Sequence, residues 1–513
     1  MRRIRLSAVL LAILIFTSIA QPNVLAADTA DVQDEAVISS SAENVDFEGS
    51  DYSGITVGAA TPEATPKPDN TFSNDEGFVC EKLTDPNSES IFMISLDTNT
   101  VVYTLNPDER RPMASLTKIM SYVVAAEVVD DLKNTRTVVP ESVAEELEGT
   151  GSSLAEIKTG EEFSIYELLN LMMVPSGNDA ALTIAKYVDS LSIAAESGDA
   201  IYDENGDGIM SFVELMNKKA AEIGCRDTHF VNAHGLYDPN HYSTAREMAM
   251  ISQYALGLPY FAEITSQQSY IQPPTNLTET EREVITSNRM LLSYMDEYYT
   301  YANGIKTGSL NESGYCISAT GLYDGYSYLV VCMGSPYIDE YGVRTYYHGE
   351  MYDAATLLRW AFLEIENKTI VADGDLIGEV DLKYSWGKDS IQVLAKGNVM
   401  AMMPKKLEDG DIQVLIDLPD NVKAPISKGD EIGTATYIYK GEVIAKIPLV
   451  AAEGVERSEV VQTIEQGQDI ISSPWFIVTA AIIAVLTVVY IVLVITINRR
   501  RSKMRRIKKY RDL

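Results

Sequence analysis

Arg111-Pro112-Met113-Ala114-Ser115-Leu116-Thr117-Lys118-Ile119-Met120 opens the stretch whose reading decides the fold. From Leu116 to Val129 nearly every position is apolar or small, including Ile119, Met120, Tyr122, Val123, Val124, Ala125 and Val128. A helix apolar all round belongs in the interior of a large domain. Its first turn nevertheless carries a hydroxyl, Ser115, and an amine, Lys118, three residues apart and therefore on one helix face. Two readings follow. Ser115 is either an activated nucleophile or an ordinary N-cap beside a snorkelling lysine.

Composition narrows the field. A chain of 513 residues with 46% hydrophobic residues has material for two or more domains with real cores. The formal charge is -33; setting aside Arg2, Arg3 and Arg5 (+3) and the tail after Asn498 (nine bases against Asp512, +8) leaves -44 on the body. So acidic a body argues against a nucleic-acid partner. Cys80, Cys225, Cys316 and Cys332 are too few for a disulfide scaffold and lack metal-site spacing. They read as buried free thiols, the alternative being a bond between Cys316 and Cys332 across the Asp324-Gly325 turn.

In chain order, Arg2-Arg3, the apolar run Leu6 to Ile19 and Val24-Leu25-Ala26 make a secretory signal over 1–26. Residues 27–75, rich in Asp, Glu, Ser, Thr and Pro, read as a disordered acidic linker. A domain over 76–366 follows. Its pattern predicts a hairpin of Ile91–Leu96 and Val101–Leu105, the core helix from Ser115, and helices at Ile165–Met173, Asp179–Leu191, Phe212–Ile223 and Thr244–Leu256. Strands at Tyr315–Thr320 and Tyr326–Met333 and a helix from Arg344 to Ile365 complete it, which suggests a sheet assembled late with a helical lobe against it. Short alternating runs over 367–460 predict a small all-β domain. Trp475 to Ile497 is 23 residues without a charge, the length of a membrane span, and the basic tail 498–513 is assigned to the cytoplasm. The expectation is a single-pass protein anchored at its C-terminus, with the folded domains outside the cell.

An exported enzyme with four histidines and no G-x-S-x-G elbow is a poor Ser-His-Asp hydrolase, so Ser115 needs Lys118 as its base. A free lysine titrates near 10.4, and burial, a helix N-terminus and a second cation would each lower that. Lys158-Thr159-Gly160 sits in a polar turn and is set aside; Lys306-Thr307-Gly308, just before the strand pair, is retained as a sheet-edge strand. Between them lies Pro175-Ser176-Gly177-Asn178, a loop able to pass a proton and hold an amide, or else a helix N-cap. S-x-x-K, S-x-N and K-T-G in that order within one exported domain form a specific trio.

With those stretches, and with Phe230-Val231-Asn232-Ala233-His234-Gly235-Leu236, the chain resembles the D-alanyl-D-alanine carboxypeptidases, the low-molecular-weight penicillin-binding proteins. The resemblance implies an α+β fold: a β-lactamase/transpeptidase-like domain, antiparallel sheet with helical lobe, then the all-β domain and a transmembrane helix. It implies that Ser115 attacks the penultimate D-Ala carbonyl of a peptidoglycan stem peptide, with β-lactam antibiotics as acylating inhibitors. Lys118 would take the proton and Ser176 would relay one to the leaving D-alanine. Asn178 would contact the substrate amide, while Lys306, Thr307 and Gly308 would hold the terminal carboxylate. The backbone N–H groups of Ser115 and Ser309 would meet the oxyanion, and catalysis would require no cofactor. Ser309-Leu310 replaces the larger residue and Thr usual after K-T-G, which bears on substrate preference. The four histidines lie outside the motifs and are read as structural.

One insertion departs from that pattern. Residues 203–214 match the D-x-[DN]-x-[DN]-G-x5-E calcium loop, with Asp203, Asn205, Asp207, Ile209 and Glu214 as ligands. The expectation is a structural Ca²⁺, the alternative a polar turn whose Glu214 belongs to the next helix. Two rival functions stand beside the peptidase. A class A-like β-lactamase would need a deacylating glutamate, for which Glu167 is the nearest candidate but precedes the S-x-N motif. A non-catalytic Ca²⁺-dependent wall-binding protein would have no use for Ser115 and Lys118 together.

Overall fold

The computed structural model describes residues 77–194, 210–339, 341–408, 410–463 and 473–511. The signal and linker over 1–75 and loop residues Asp203, Asn205, Asp207 and Ile209 lie outside the described residues.

The first hairpin is β1 (Ser90–Ser95) and β2 (Val101–Leu105). Short ribbons pair β3 (Arg136–Val138) with β4 (Glu162–Ser164) and β5 (Ser269–Gln272) with β6 (Arg282–Ile285). Late in the domain come β7 (Ala302–Leu310), β8 (Gly314–Tyr323) and β9 (Tyr326–Ser335). They join the first hairpin in one antiparallel sheet of order β2-β1-β9-β8-β7, leaving β7 at an edge. The β8–β9 turn at Asp324-Gly325 has both residues at positive φ, the geometry that tight hairpins favour.

Alternation along these strands feeds two cores. Phe92, Ile94, Cys316, Leu329 and Val331 face a helical lobe. Ile91, Met93, Ile317, Val330 and Cys332 face the opposite side. Strand side chains alternate faces, so each strand here is apolar on both. Cys316 and Cys332 thus point to opposite faces of the sheet; register pairs Cys332 with Ile317, and all four cysteines are free and buried.

The lobe is built from α1 (Thr117–Val128), α2 (Glu141–Leu147), α3 (Ile165–Met173), α4 (Asn178–Ala194), α5 (Phe212–Ile223), α6 (Ala245–Leu256) and the short α7 (Phe261–Thr265). Its helices start where the sequence supplies caps. Ser164 with Glu167, and Ser211 with Glu214, close reciprocal capping boxes, while Thr244 caps α6. Helix α1 is buried on every side from Thr117 to Ala125. It starts two residues after Ser115, because Ala114–Leu116 form a 3₁₀ turn with Ala114 at φ 47°.

Helix α8 spans Gly349–Glu364, not the expected Arg344 to Ile365. Residues before it are held extended, with Ile338 bridged to Arg344 and Thr345 N–H donating to the Tyr337 carbonyl at 2.9 Å. That pairing satisfies backbone groups that a longer helix would have used. Helix α8 covers the second sheet face through Met351, Ala354, Leu357, Leu358 and Phe362.

From Ile365 onward the chain is all-β up to Ala451. A ribbon pairs β10 (Ile365–Val371) with β13 (Val399–Pro404). The remaining strands, β11 (Leu376–Lys383), β12 (Ser390–Ala395), β14 (Ile412–Asp417), β15 (Asn421–Lys423), β16 (Glu431–Tyr439) and β17 (Glu442–Ala451), form one sheet around Val380, Ile391, Val393, Ala435 and Leu449. Last comes α9 (Pro474–Arg511), whose Pro474–Ser502 part holds an 18-residue window of mean hydropathy 3.0 with none of its residues buried. It is long and apolar enough to cross a bilayer.

Candidate active site

Ser115 lies half-buried in the 3₁₀ turn that leads into α1, and Lys118 one turn on is fully buried. The Lys118 Nζ is 2.7 Å from Ser115 Oγ, 2.6 Å from the Asn178 amide oxygen, 3.0 Å from the His234 carbonyl oxygen and 3.5 Å from Ser176 Oγ. Two of these neighbours, the Asn178 and His234 oxygens, can only accept. A neutral amine gives them its two N–H groups and turns its lone pair toward the serines. Burial, then the positive charge of Lys306, pushes Lys118 well below the ordinary lysine range, with Asp179 opposing.

The loop carrying Ser176 and Asn178 is pinned from below. Ser176 adopts φ 68°, a left-handed conformation unusual for a residue with a Cβ. Gly177 N–H donates to the Leu171 carbonyl at 3.0 Å and Asn178 N–H to the Ser153 carbonyl at 2.9 Å. The Asp179 carboxylate accepts from the N–H groups of Ala155 (2.8 Å), Ile157 (3.1 Å) and Ala180 (2.9 Å). Burial raises its pKa above the usual carboxylate range, against those three bonds. Asp179 therefore fixes the loop that aims Ser176 at Lys118.

Edge strand β7 supplies the other wall. Lys306 is 1% exposed, and burial brings its ammonium down to about 7. Its Nζ donates to the Thr307 carbonyl at 3.0 Å, and the Thr307 hydroxyl lies 2.7 Å from Ser287 Oγ. A Cβ added at Gly308 would sit 2.9 Å from the Met113 oxygen and 3.3 Å from the Ser115 nitrogen. The strand thus runs directly beside the backbone N–H of Ser115, and only glycine leaves that gap. Ser309, next along, is exposed.

Five expected residues, Ser115, Lys118, Ser176, Asn178 and Lys306, are therefore brought to one place, with Thr307, Gly308 and Ser309 along its edge. Lys158-Thr159-Gly160 forms a turn closed by Glu161 N–H to the Lys158 carbonyl, as read from sequence. Glu167 is occupied as the cap of α3 and ion-paired to Arg136 at 3.5 Å, which leaves the β-lactamase reading without its base. Glu214 is likewise a cap, its carboxylate accepting from Ser211 N–H at 2.6 Å.

Three contributors are not evident in the sequence reasoning. The His234 carbonyl is a backbone partner, invisible to a search for side-chain chemistry. Its imidazole is pushed down to about 3 by burial, then by Lys118 and His241, and stays neutral. Gly235 holds φ 92°, and a Cβ added there would sit 2.0 Å from the Ala114 oxygen, so only glycine lets this segment pack against the turn that carries Ser115. Ser287 reaches Thr307 from a segment with no motif around it.

Comparison with known proteins agrees with this geometry. Residues 79–336, just over half of the chain, match the peptidase S11 family of D-alanyl-D-alanine carboxypeptidases, and residues 366–457 match the C-terminal domain of penicillin-binding protein 5. The chain is 28% identical to the D-alanyl-D-alanine carboxypeptidase DacF of Bacillus subtilis over 72% of its own length and 86% of the relative's. It is 28% identical to DacA of Haemophilus influenzae, over 71% and 84% of the two chains. Among solved structures, penicillin-binding protein 5 from Haemophilus influenzae superposes with TM-score 0.50 at 25% identity, covering 74% of this chain and all of that one. The fold is shared also with DacD from Francisella tularensis, at TM-score 0.53 and 23% identity, over 79% of this chain and 100% of that one. Motif order, sheet topology and the lysine-centred cluster converge with these matches: this chain belongs to the serine-type D-alanyl-D-alanine carboxypeptidase family.

Proposed function

We propose that Ser115 is the acylated nucleophile of a peptidoglycan carboxypeptidase and Lys118 its general base. The observation that carries this is the Lys118 amine, buried, depressed in basicity and 2.7 Å from Ser115 Oγ. In acylation Ser115 Oγ attacks the penultimate D-Ala carbonyl of the stem pentapeptide while its proton passes to the Lys118 lone pair. Ser176, 3.5 Å from that nitrogen, hands the proton on to the departing D-alanine amine. Lys306, with Thr307, Gly308 and Ser309 along β7, holds the terminal carboxylate, and Asn178 steadies both the lysine and the substrate amide. The N–H groups of Ser115 and Ser309 receive the oxyanion. Water then cleaves the acyl-enzyme. No step calls for a cofactor, and a β-lactam enters as a substrate mimic that acylates Ser115 and leaves slowly.

The uncharged run Trp475 to Ile497, followed by Arg499-Arg500-Arg501 and further bases on the same helix, supports a single-pass anchor with the enzyme outside the cell, facing its polymer. The body's acidity supports a partner other than nucleic acid. A structural Ca²⁺ in loop 203–214 is a separate proposal, carried by ligand spacing alone. Because Glu214 already caps α5, ion binding would compete with that cap, and calorimetry at millimolar Ca²⁺ tests it.

The deciding experiment treats the full-length chain in detergent with a fluorescent penicillin and, separately, with a stem pentapeptide. Covalent labelling lost in Ser115→Ala, together with D-alanine release by the unmodified chain, is expected. Labelling that persists in Ser115→Ala would sink the assignment.

A further inference from the structure

The segment between β9 and α8 is unusually aromatic. Among its described residues Tyr341 is 80% exposed, Tyr346 74% and Tyr347 53%. Exposed rings in a contiguous group mark a binding surface more often than chance.

The hairpin is built rather than loose. Asp339 N–H donates to the Val343 carbonyl at 2.8 Å, and its carboxylate accepts from Tyr341 and Val343 N–H at 2.9 Å each. The Arg344 guanidinium lies over both Tyr337 (4.8 Å) and Tyr346 (5.5 Å), holding the two rings apart. Tyr347 stacks on Tyr352 of α8 at 5.0 Å and 15°.

Its position ties it to the catalytic edge. Tyr315 on β8 pairs directly with Ser309 on β7, and its hydroxyl donates to the Thr345 carbonyl at 2.6 Å. The aromatic hairpin is thus fastened one tyrosine length from the strand bearing Lys306-Thr307-Gly308. A pentapeptide spans at most ~18 Å when extended. The polymer that carries the stem peptide is therefore within reach of this end of the cleft.

We propose that these tyrosines form a platform for the pyranose rings of the glycan strand to which the stem peptide is attached. The inference rests on the peptidase reading above. Sugar rings present rows of C–H bonds that pack on the electron-rich face of an aromatic ring, while tyrosine hydroxyls and Asp339 accept from ring hydroxyls. Anionic lipid is disfavoured as the occupant, because the chain carries a formal charge of -33. The glycan has no such penalty and is already joined to the substrate.

Tyr341→Ala/Tyr346→Ala in the full-length chain, in detergent, tests this, because both rings are largely exposed on the hairpin. D-alanine release is measured on a free stem pentapeptide and on uncrosslinked glycan oligomers bearing the same peptide. The expected result is a KM for the oligomer that is lower than for the free peptide in the unmodified chain. In the double variant that KM rises about tenfold, the effect of two exposed ring contacts, while the free peptide is unaffected. Restoring phenylalanine at both positions returns most of the preference. An unmodified chain with no preference for the oligomer, or a variant that keeps the preference, overturns the platform. Equal loss on both substrates also overturns it. A chain that cleaves neither substrate would instead overturn the peptidase reading.

Discussion

The amide oxygen of Asn178 stands 2.6 Å from the Lys118 nitrogen and accepts one of its N–H bonds without supplying charge. This contact lets the amine stay neutral where a carboxylate would pin it as ammonium. Asn178→Asp therefore should raise the Lys118 pKa, by about 1–3 units for a carboxylate so placed. The base is active only when neutral, so the rising limb of the acylation pH profile should move to higher pH by that amount. Rate at neutral pH should fall while the rate at the alkaline plateau largely recovers. A profile measured with fluorescent penicillin that keeps its midpoint would show that Lys118 is not the base.

Gly308 controls how closely β7 approaches Ser115. Gly308→Ala places a methyl 2.9 Å from the Met113 oxygen and 3.2 Å from the Ala114 Cβ, and both are backbone-anchored. The strand must shift outward by several tenths of an ångström, which misaligns the proposed carboxylate site and oxyanion donors together. A loss of about 10²-fold in kcat/KM is expected for a displacement of this order, with thermal stability changed little. D-alanine release and a melting curve on the same preparation check both halves.

Much of this arrangement was legible in the sequence because chemistry and local pattern coincide there. The capping boxes at Ser164 and Ser211 fix helix starts at Ile165 and Phe212, where periodicity alone already placed them. The late strand pair suggested a sheet with a helical lobe against it, but not that α8 would cover the opposite face. Illegible parts depend on through-space approach. Nothing near His234 signals that its carbonyl, rather than its ring, meets Lys118. Arg344 to His348 read as helix because their residue types allow it, but the extended pairing of Thr345 with Tyr337 is a tertiary preference.

Ser287 touches Thr307 at 2.7 Å and should matter only for substrates with a free terminal carboxylate. Ser287→Ala frees the Thr307 hydroxyl to rotate, weakening one of the bonds that hold that group. The expected change is a rise in KM of about three- to tenfold, the worth of one hydrogen bond, with kcat retained. A peptide whose C-terminus is amidated should show no difference between Ser287→Ala and the unmodified chain. A fall in kcat with unchanged KM would assign Ser287 to proton transfer instead.

His241 links the nucleophile helix to acid stability. Its Nε2 is 2.7 Å from Thr117 Oγ1, its Nδ1 accepts from Val231 N–H at 3.0 Å, and burial pushes its pKa down to about 4. The folded chain keeps this ring neutral, whereas the unfolded chain protonates it near 6.5. Above 6.5 neither state binds the proton, and His241 adds no pH dependence. Between about 6.5 and 4 only the unfolded state binds it, so stability falls by about 1.4 kcal/mol per pH unit as pH drops. Asp238 and His229 act on the ring in opposite directions and are second to burial. His234, depressed to about 3, extends the same loss to lower pH. His241→Gln should lower the melting temperature at pH 7, because one geometry is lost, yet flatten its decline between pH 6.5 and 4. Melting curves of both proteins at half-unit intervals would show converging lines. Parallel lines would mean that His241 is not the group whose protonation destabilises the fold.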